Sequence, residues 1–219
     1  MHLDLRTYPP NAAYKLLTNL VIPRPIAWVC SMDLQGGINL APFSFFNLVG
    51  ASPALVVLGV GDDRHGNPKH TADNIAATRE FVVNLVTEDL AHPMNLTSAD
   101  FPRGHSELAA AGLTPAQSLA IKCPRVAEAR AALECTLIKI EKIGPNNLVI
   151  AQVVALHLHD DLLDPNHPLH IHNFFPIARI GGPSGYVRTT DRFDLPRPSV
   201  PPASPVHPAP PPRETRGDN

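Results

Sequence analysis

The stretch IAWVCSMDLQGGINLAPFSFFNLVGASPALVVLGV, residues 26–60, decides the fold. It holds four apolar runs of strand length, separated by residues that favour turns, at 26–32, 38–41, 44–49 and 54–60. The connections are too short to contain a crossover helix, so each strand is predicted to pair antiparallel with its neighbour in the chain. This part of the sequence therefore predicts an antiparallel sheet.

Three further runs extend the predicted sheet. Strand patterns occur at residues 80–87, 133–143 and 148–159. In the second of these strands, the alternation of inward-facing apolar residues shifts by one position near Leu137, which predicts a bulge there. The last of these strands is apolar on both faces, so both of its faces must be covered by other parts of the protein or by another subunit. We therefore expect a mainly β fold.

A few helical segments interrupt the strands. The spacing of apolar residues changes to that of a helix at residues 71–79, where Thr71 is a candidate N-cap. Shorter helices are predicted at 88–97 and 106–111, and Gly112 follows the second one at a position typical of a helix C-terminus. The predicted architecture is a β-barrel with peripheral helices.

Charge and composition exclude several classes of protein. The 219 residues carry a formal net charge of -2, so there is no basic field to hold nucleic acid. No run approaches the roughly 18 apolar residues of a membrane-spanning helix, and the first residues do not read as a secretory signal. The three cysteines lie far apart in the sequence, which disfavours both a disulfide framework and a zinc site. We therefore expect a cytoplasmic protein without a membrane or nucleic-acid partner.

Proline is unevenly distributed. Of the 25 prolines, nine lie between Pro196 and Pro212, in a segment with little apolar surface and no periodicity. Such a segment cannot offset the entropy that ordering costs. We predict a domain at residues 1–197 and a disordered proline-rich tail at residues 198–219.

The loop RHGNPKHT, residues 64–71, is a candidate anion site. It leads directly into a predicted helix, whose first N–H groups attract an anion. Lys69 and the hydroxyl of Thr71 would complete a site for a phosphate monoester. The alternative is a solvated loop with an ordinary helix cap.

The segment NLAPFSFFN, residues 39–47, is a candidate site for a planar ligand. Pro42 cannot donate a ladder hydrogen bond, so it marks a sheet edge or a bulge where backbone groups are free. Phenylalanines next to small polar residues could form an apolar floor with a polar rim for a heteroaromatic ring. The alternative is an aromatic core beside a strand bulge.

The histidine-rich stretch from His157 to His172 is a third candidate. Two His-x-His pairs would each place both imidazoles on one face of a strand, which is a workable spacing for metal ligands. No Gly-x-Ser-x-Gly pattern and no cysteine with an evident base supports a nucleophilic mechanism. A metal-binding protein is therefore the third-ranked interpretation.

Taken in order, the motifs resemble those of the flavin reductase-like family of FMN-binding split-barrel proteins. The similarity runs from about Thr18 to Pro198, and its motifs are Asn39 to Ser44, Ser52-Pro53, Lys69 to Ile75, Leu133 to Cys135, Arg179 to Gly182, and Tyr186-x-Arg188. The family often has Pro-Pro where this chain has Pro53-Ala54. The resemblance implies a homodimeric split β-barrel that binds FMN.

The resemblance also implies site residues. Its phosphate pocket corresponds to Lys69, Thr71 and Arg24. Its ring pocket corresponds to Ser31, Asn39, Ala41, Phe43 and Ser44. A C-terminal segment with Tyr186 and Arg188 is implied to close over the flavin or over the dimer seam.

The function implied is an NAD(P)H-dependent oxidoreductase that transfers hydride to FMN, with a partner oxygenase or another electron acceptor. The cofactor performs this chemistry, so no residue of the protein is assigned as catalytic. The sequence leaves NADH and NADPH equally open, because it contains no Gly-x-Gly-x-x-Gly fingerprint. The alternative is a flavin-binding electron carrier without nicotinamide turnover.

Overall fold

The computed structural model describes residues 2–199, and strands dominate it. The strands are β1 (Arg24–Pro25), β2 (Ala27–Met32), β3 (Ile38–Phe43), β4 (Phe46–Ala51), β5 (Ala54–Gly61), β6 (Glu80–Leu85), β7 (Pro115–Ala116), β8 (Arg125–Val126), β9 (Ala131–Ile143), β10 (Asn146–Leu158), β11 (Leu163–Asp164), β12 (His167–Ile171), β13 (Ala178–Arg179) and β14 (Tyr186–Val187). The α-helices are α1 (Pro10–Leu20), α2 (His70–Thr78), α3 (Ala91–Leu96) and α4 (Glu107–Ala110). Short 3-10 turns occupy Leu5–Thr7, Glu88–Leu90 and Asp160–Leu162.

Seven strands form one antiparallel sheet in the order β3-β2-β6-β9-β10-β5-β4. The predicted hairpins β2–β3 and β4–β5 are confirmed. The predicted pairing of the second and third strands is wrong, because β3 and β4 lie at opposite edges of the sheet. The free edges of β2 and β5 pair instead with β6 and β10, which are distant in sequence. The sheet curls so that β3 contacts β5, which gives it a barrel shape.

Strand β2 is buried on both faces and divides the core in two. Ala27 and Val29 pack in one cluster with side chains of β5, β6, β9, β10 and α2. Trp28 and Cys30 pack in the other with side chains of β3, β6, α3, α4 and the segment 113–129. Helices α3 and α4 therefore cover the face of β2 that carries Trp28 and Cys30, while α2 packs against the other face.

The β9–β10 hairpin carries the predicted bulge. Lys139 lies opposite Ile150 and Leu137 lies opposite Ala151, so Ile138 is the extra residue. The bulge next to Leu137 is therefore confirmed. One face of β10 remains exposed beyond it, with Val154 at 40% and Leu156 at 54% of their full accessibility.

Helix α2 begins one residue earlier than predicted. Its N-cap is Lys69, in extended conformation, and no side chain caps the helix. The prediction of Thr71 as N-cap is wrong, since Thr71 lies inside the first turn and its hydroxyl is next to Asn39. The shorter helices are confirmed: Ser106 caps α4, and Gly112 follows it with a φ of +68°.

The C-terminal part of the domain returns to its beginning. Strand β13 pairs with β1 and with β14, which brings Arg179 opposite Arg24 and Tyr186. Beyond residue 199 the predicted tail lies outside the described residues. In residues 2–199, no helix has both the length and the apolar character needed to cross a membrane.

Candidate functional site

An open cleft of about 220 Å³ lies between the edge strand β3, the loop 62–69 before α2, and the segment 97–101 after α3. Of the residues predicted from the sequence, the cleft brings together Asn39, Ala41, Phe43, Lys69 and Thr71. The ionisable side chains that join them are Asp63, Arg64, His65, His70, Asp100 and Glu107. The two sequence segments interpreted as ring and phosphate sites therefore face one space.

The loop before α2 is held by its own aspartate. Asp63 accepts hydrogen bonds from the backbone N–H groups of Asn67 (2.9 Å) and His65 (2.8 Å). These bonds, from Asn67 first, hold the pKa of the Asp63 carboxyl below its usual value. Gly66 takes a φ of +82°, which closes the turn. The turn delivers Lys69 to the start of the helix.

The first turn of α2 offers donors to the cleft. The first helical hydrogen bonds run from Ala72 and Asp73 to the carbonyl of Lys69. The N–H groups of His70 and Thr71 come before these bonds, where a helix provides no carbonyl partner. The ammonium group of Lys69 lies 6.0 Å from the centroid of the Phe43 ring. A cation, an aromatic ring and a helix N-terminus therefore meet at this point.

Three buried polar side chains connect β3, α2 and α4. One amide atom of Asn39 lies 3.0 Å from Oγ1 of Thr71, and the other lies 3.2 Å from Oε1 of Glu107. Oε2 of Glu107 accepts from the N–H of Leu40 at 3.0 Å. Glu107 is only 5% exposed, although it lines the cleft. No motif in the sequence pointed to Glu107, because it is a single carboxylate on a four-residue helix.

The third wall of the cleft is anchored to the core. Nε1 of Trp28 donates to Oγ1 of Thr97 at 2.8 Å, and Thr97 donates to the carbonyl of Met94. Asp100, further along the same segment, lies 3.5 Å from the guanidinium of Arg64 on the opposite loop. Both of these side chains are exposed. The pair joins two walls of the cleft at its rim.

A family model for the flavin reductase like domain matches residues 19–176. The chain belongs to the flavin reductase-like family. The family prediction made from the motifs is therefore confirmed.

Solved structures extend this likeness over nearly the whole chain. The 2-nitrobenzoate 2-nitroreductase NbaA of Pseudomonas fluorescens is 37% identical, with a TM-score of 0.83 over 93% of this chain and 100% of that one. Nitrilotriacetate monooxygenase component B of Bacillus cereus is 33% identical, with a TM-score of 0.82 over 89% and 98%. A Shewanella frigidimarina protein with a split barrel domain is 22% identical, with a TM-score of 0.75 over 90% and 100%. The predicted split-barrel fold is confirmed.

A second cleft adjoins the first in this flavin reductase-like domain. Phe43, Pro42 and Ser98 line both spaces, and Ser44 and Tyr186 line only the second. The guanidinium of Arg179 lies over the Tyr186 ring, 4.7 Å from its centroid. Carbonyl groups of the 182–185 turn accept hydrogen bonds from Arg179. Two of the sequence-predicted residues, Ser44 and Tyr186, are therefore next to the first cleft rather than in it.

The remaining sequence-predicted residues lie outside both clefts. Arg24 is buried, and its guanidinium donates to the carbonyls of Thr18 (2.6 Å) and Val21 (3.0 Å). Arg188 pairs with Glu88, with Nε to Oε2 at 2.6 Å. Arg188 holds the pKa of the Glu88 carboxyl below its usual value.

Ser31 is fully buried beneath the cleft and accepts a hydrogen bond from Asn74 at 3.2 Å. Asn74 is on α2, the helix whose first turn lines the cleft. Ser31 therefore contacts the helix rather than the space in front of it.

Several histidines of the histidine-rich stretch pair with a carboxylate, whereas Nδ1 of His172 is buried without a hydrogen-bond partner among the described residues. His157 bonds to Glu134, His159 lies 2.7 Å from Asp161, and His167 lies 3.4 Å from Asp164. Between residues 2 and 199, no group of three or more His, Cys, Asp or Glu side chains is arranged to hold a metal ion. These histidines therefore give the metal-binding interpretation no cluster within the described chain.

Glu134 is buried by a different set of contacts from those of Glu107. Its carboxylate accepts the backbone N–H groups of Leu119 (2.5 Å), Ala120 (2.7 Å) and Ile121 (3.1 Å), as well as a bond with His157. Burial by itself would raise the pKa of Glu134, but the donors at Leu119, His157 and Ala120 hold that pKa below its usual value. Glu134 therefore holds the 119–121 loop against strand β9.

Proposed function

We propose that this protein is a flavoprotein oxidoreductase that binds FMN in the cleft between β3 and α2 and accepts hydride there from NADH or NADPH. The observation that carries the proposal is the meeting of Lys69, the first turn of α2 and the Phe43 edge strand at one cleft. Membership of the flavin reductase-like family supports it. The names of two relatives, a nitroreductase and a monooxygenase component, are those of redox proteins.

The phosphate of FMN is assigned to the start of α2. The backbone N–H groups of His70 and Thr71 lack helical partners and suit an anion. Lys69 adds a positive charge beside them. Asp63 lines the same cleft, but it is turned into its own loop by two backbone hydrogen bonds. The cations that line the cleft near the start of the helix are therefore Lys69 and Arg64, and Arg64 is paired with Asp100 at the rim.

The isoalloxazine ring is assigned to the edge of β3. Ala41 and Phe43 line the cleft on a strand that pairs, within residues 2–199, with β2 alone. Apart from the N–H of Leu40, which Glu107 accepts, backbone groups on the other side of this strand are left for a ligand. Phe43 supplies apolar surface at the junction of the two clefts. In this proposal Arg24, Ser31 and Arg188 hold the segments around the site, while Ser44 and Tyr186 face the second cleft.

When bound, FMN supplies the hydride-accepting ring. The chain's part is to hold the ring and to leave space over one face, because hydride transfer needs an approach of about 3.5 Å. The second cleft, continuous with the first through Phe43 and Pro42, provides that space for a nicotinamide. No acid or base of the protein is needed for this step.

The direct test is an anaerobic stopped-flow experiment with FMN-loaded protein. Mixing with NADH or with NADPH is expected to bleach the visible flavin absorbance within seconds, and the faster donor identifies the preferred nucleotide. Absence of bleaching over minutes with both donors would exclude the reductase and leave the flavin electron carrier. Failure of the protein to bind FMN would exclude both.

The phosphate assignment has its own test. Lys69→Ala removes one charge-assisted contact, worth about 1.5–3 kcal/mol, so the dissociation constant for FMN should rise at least tenfold. The matched control is Lys139→Ala, which removes an exposed lysine paired with Glu141 on β9, away from the cleft. Equal FMN affinity in a folded Lys69→Ala protein and in the control would contradict the assignment.

The proposal includes a homodimer. Strand β10 exposes Val154 and Leu156, and β4 exposes Leu48 at 61% and Val49 at 54%. Apolar strand surface of this kind is usually covered by a partner. Light scattering at micromolar concentration should give about twice 23.6 kDa, and Leu156→Glu should reduce the mass. A wild-type particle of the single-chain mass would contradict the dimer.

The proposal also includes an acceptor for the electrons of the reduced flavin. A relative at 33% identity is named as component B of a monooxygenase, so we propose a partner oxygenase as the acceptor. Adding such an oxygenase should increase the rate of NAD(P)H consumption and yield a hydroxylated product. We place the reaction in the cytoplasm, a reducing compartment that suits the three free cysteines.

A further inference from the structure

We propose that Glu107 is a positioning residue that sets the direction of a hydrogen-bond chain through Asn39 to Thr71, and so decides whether Thr71 offers the cleft a donor or an acceptor. The assignment of the ligand as a phosphate rests on the proposed function. The direction of the chain does not, because it follows from the three side chains alone.

The chain begins at a carboxylate that has few partners. Glu107 is 95% buried, and Oε2 accepts the N–H of Leu40 at 3.0 Å. Its Oε1 has one protein neighbour among those described, the amide of Asn39 at 3.2 Å. The other end of that amide lies 3.0 Å from Oγ1 of Thr71. Each of these three side chains lines the cleft.

An ionised Glu107 fixes the amide in one orientation. A carboxylate only accepts hydrogen bonds, so the NH₂ group of Asn39 must point toward Glu107. The carbonyl of Asn39 then points toward Thr71 and accepts its hydroxyl hydrogen. In this state Thr71 presents only lone pairs to the cleft.

A proton on Oε1 of Glu107 would reverse two of these bonds, the one to Asn39 and the one from Asn39 to Thr71. The carboxyl then donates to the carbonyl of Asn39, and the NH₂ of Asn39 donates to Oγ1 of Thr71. The hydroxyl of Thr71 becomes free to donate into the cleft. The bond from Leu40 to Oε2 is kept in both directions.

A phosphate in the cleft favours the reversed direction for two reasons. Phosphate oxygens accept hydrogen bonds, so a phosphate at Thr71 needs the hydroxyl as a donor. A second negative charge in the same cleft also disfavours the ionised form of Glu107. A phosphate at Thr71 is therefore favoured by a neutral group at position 107.

Other groups around Glu107 can also respond to pH. Strand β3, which α4 packs against, has no ionisable side chain. Burial raises the pKa of the Cys30 thiol on β2 to about 12, so this thiol stays neutral. The remaining ionisable groups of the cleft are Asp63, Arg64, His65, Lys69, His70 and Asp100. All variants must therefore be compared at the same pH.

Glu107→Gln separates the two directions without a ligand. The glutamine carbonyl can keep the bond from Leu40, and its NH₂ then donates to Asn39 as the protonated acid would. NMR of the ligand-free protein should show a strong nuclear Overhauser contact between the Asn39 NH₂ and the Thr71 methyl group in Glu107→Gln, and a weak one in the wild type at pH 7.5. Equal contacts would overturn the proposal.

The wild type provides the same test if the variant does not fold. In the wild-type protein at pH 7.5, the contact between the Asn39 NH₂ and the Thr71 methyl group should be weak, because an ionised carboxylate turns the NH₂ toward Glu107. A strong contact in the wild type would overturn the proposal. Glu128→Gln, which replaces a carboxylate bonded to the N–H of Thr114 outside the cleft, should behave as the wild type.

FMN binding then tests the consequence for the ligand. The dissociation constant for FMN should be about tenfold lower for Glu107→Gln than for the wild type at the same pH, because the Thr71 hydroxyl of the variant is free to donate to the phosphate. Riboflavin, which lacks the phosphate, should not distinguish the two proteins.

Equal FMN affinity of the wild type and the folded Glu107→Gln variant would overturn this consequence for the ligand. A wild-type protein that binds no FMN would overturn the proposed function, and the ligand-free contact would still decide the direction of the chain.

Discussion

Glu107 and Glu134 are both buried carboxylates, and they differ in how completely the protein satisfies them. Glu134 accepts three consecutive backbone N–H groups and a bond with His157, and it lines neither of the two clefts described above. Glu107 has one backbone donor and one amide neighbour, and it lines a cleft. Full satisfaction makes a carboxylate a fixed part of the fold, whereas partial satisfaction leaves one that a ligand can influence.

The largest expected effect is a loss of stability on removal of Glu134, the more completely satisfied of the two carboxylates. Glu134→Ala leaves three backbone N–H groups without their acceptor, so the free energy of unfolding should fall by about 3 kcal/mol. This corresponds to a decrease in Tm of about 6–12 °C for a chain of this size. Calorimetry measures the Tm, and FMN titration at 15 °C should show unchanged affinity. A large loss of affinity in the folded variant would show that the 119–121 loop and the cleft are coupled.

The second prediction uses pH. The folded pKa of Glu134 lies below its usual value of 4.5, so its stabilising contribution is present above the unfolded pKa and is lost as pH falls through the folded pKa. Urea unfolding should therefore show a difference between wild type and Glu134→Gln at pH 7 that shrinks below about pH 4. Glu128→Gln is the control, and an equal trend in that variant would remove the assignment to Glu134.

A smaller effect is expected at the border of the two clefts. Ser44→Ala removes a hydroxyl whose nearest donor is Nε of Arg24, at a long 3.4 Å. The FMN dissociation constant should change by about threefold or less, since a single long hydrogen bond contributes little. Equilibrium dialysis is sufficient to measure this. A loss of FMN affinity as large as that expected for Lys69→Ala would indicate that the flavin ring lies closer to the second cleft than proposed.

The smallest effect concerns the proline-rich segment. Deletion of residues 198–219 should leave the Tm and the FMN affinity unchanged, because its composition offers little apolar surface to bury. A loss in either quantity would show that the domain extends beyond residue 197. The same measurement on Glu134→Ala provides the scale for a real loss.

The sequence predicted local structure better than long-range order. The hairpins at β2–β3 and β4–β5 and the bulge next to Leu137 follow from period and turn residues, which neighbouring positions determine. The pairing of β2 with β6 joins residues such as Val29 and Val83, and no local pattern specifies that choice. The order of the sheet could therefore not be read from the sequence.

The candidate site was predictable to a similar extent. Lys69 and Phe43 belong to recognisable segments, and the fold brings them to one cleft. The position of Arg188 outside the clefts could not be predicted from the sequence, because its partner Glu88 is 100 residues away in the chain. Glu107 gave no signal at all, since its importance arises only from the position of Asn39 in three dimensions.

The anchoring of the third cleft wall by Trp28 gives the protein an optical reporter. Trp28 is the one tryptophan of the chain, it is fully buried, and it bonds directly to Thr97 in the cleft lining. Its fluorescence should therefore be emitted at short wavelength. A flavin in the cleft would accept this energy, because flavins absorb where indoles emit. The filling of the cleft can thus be followed in the unlabelled wild-type protein.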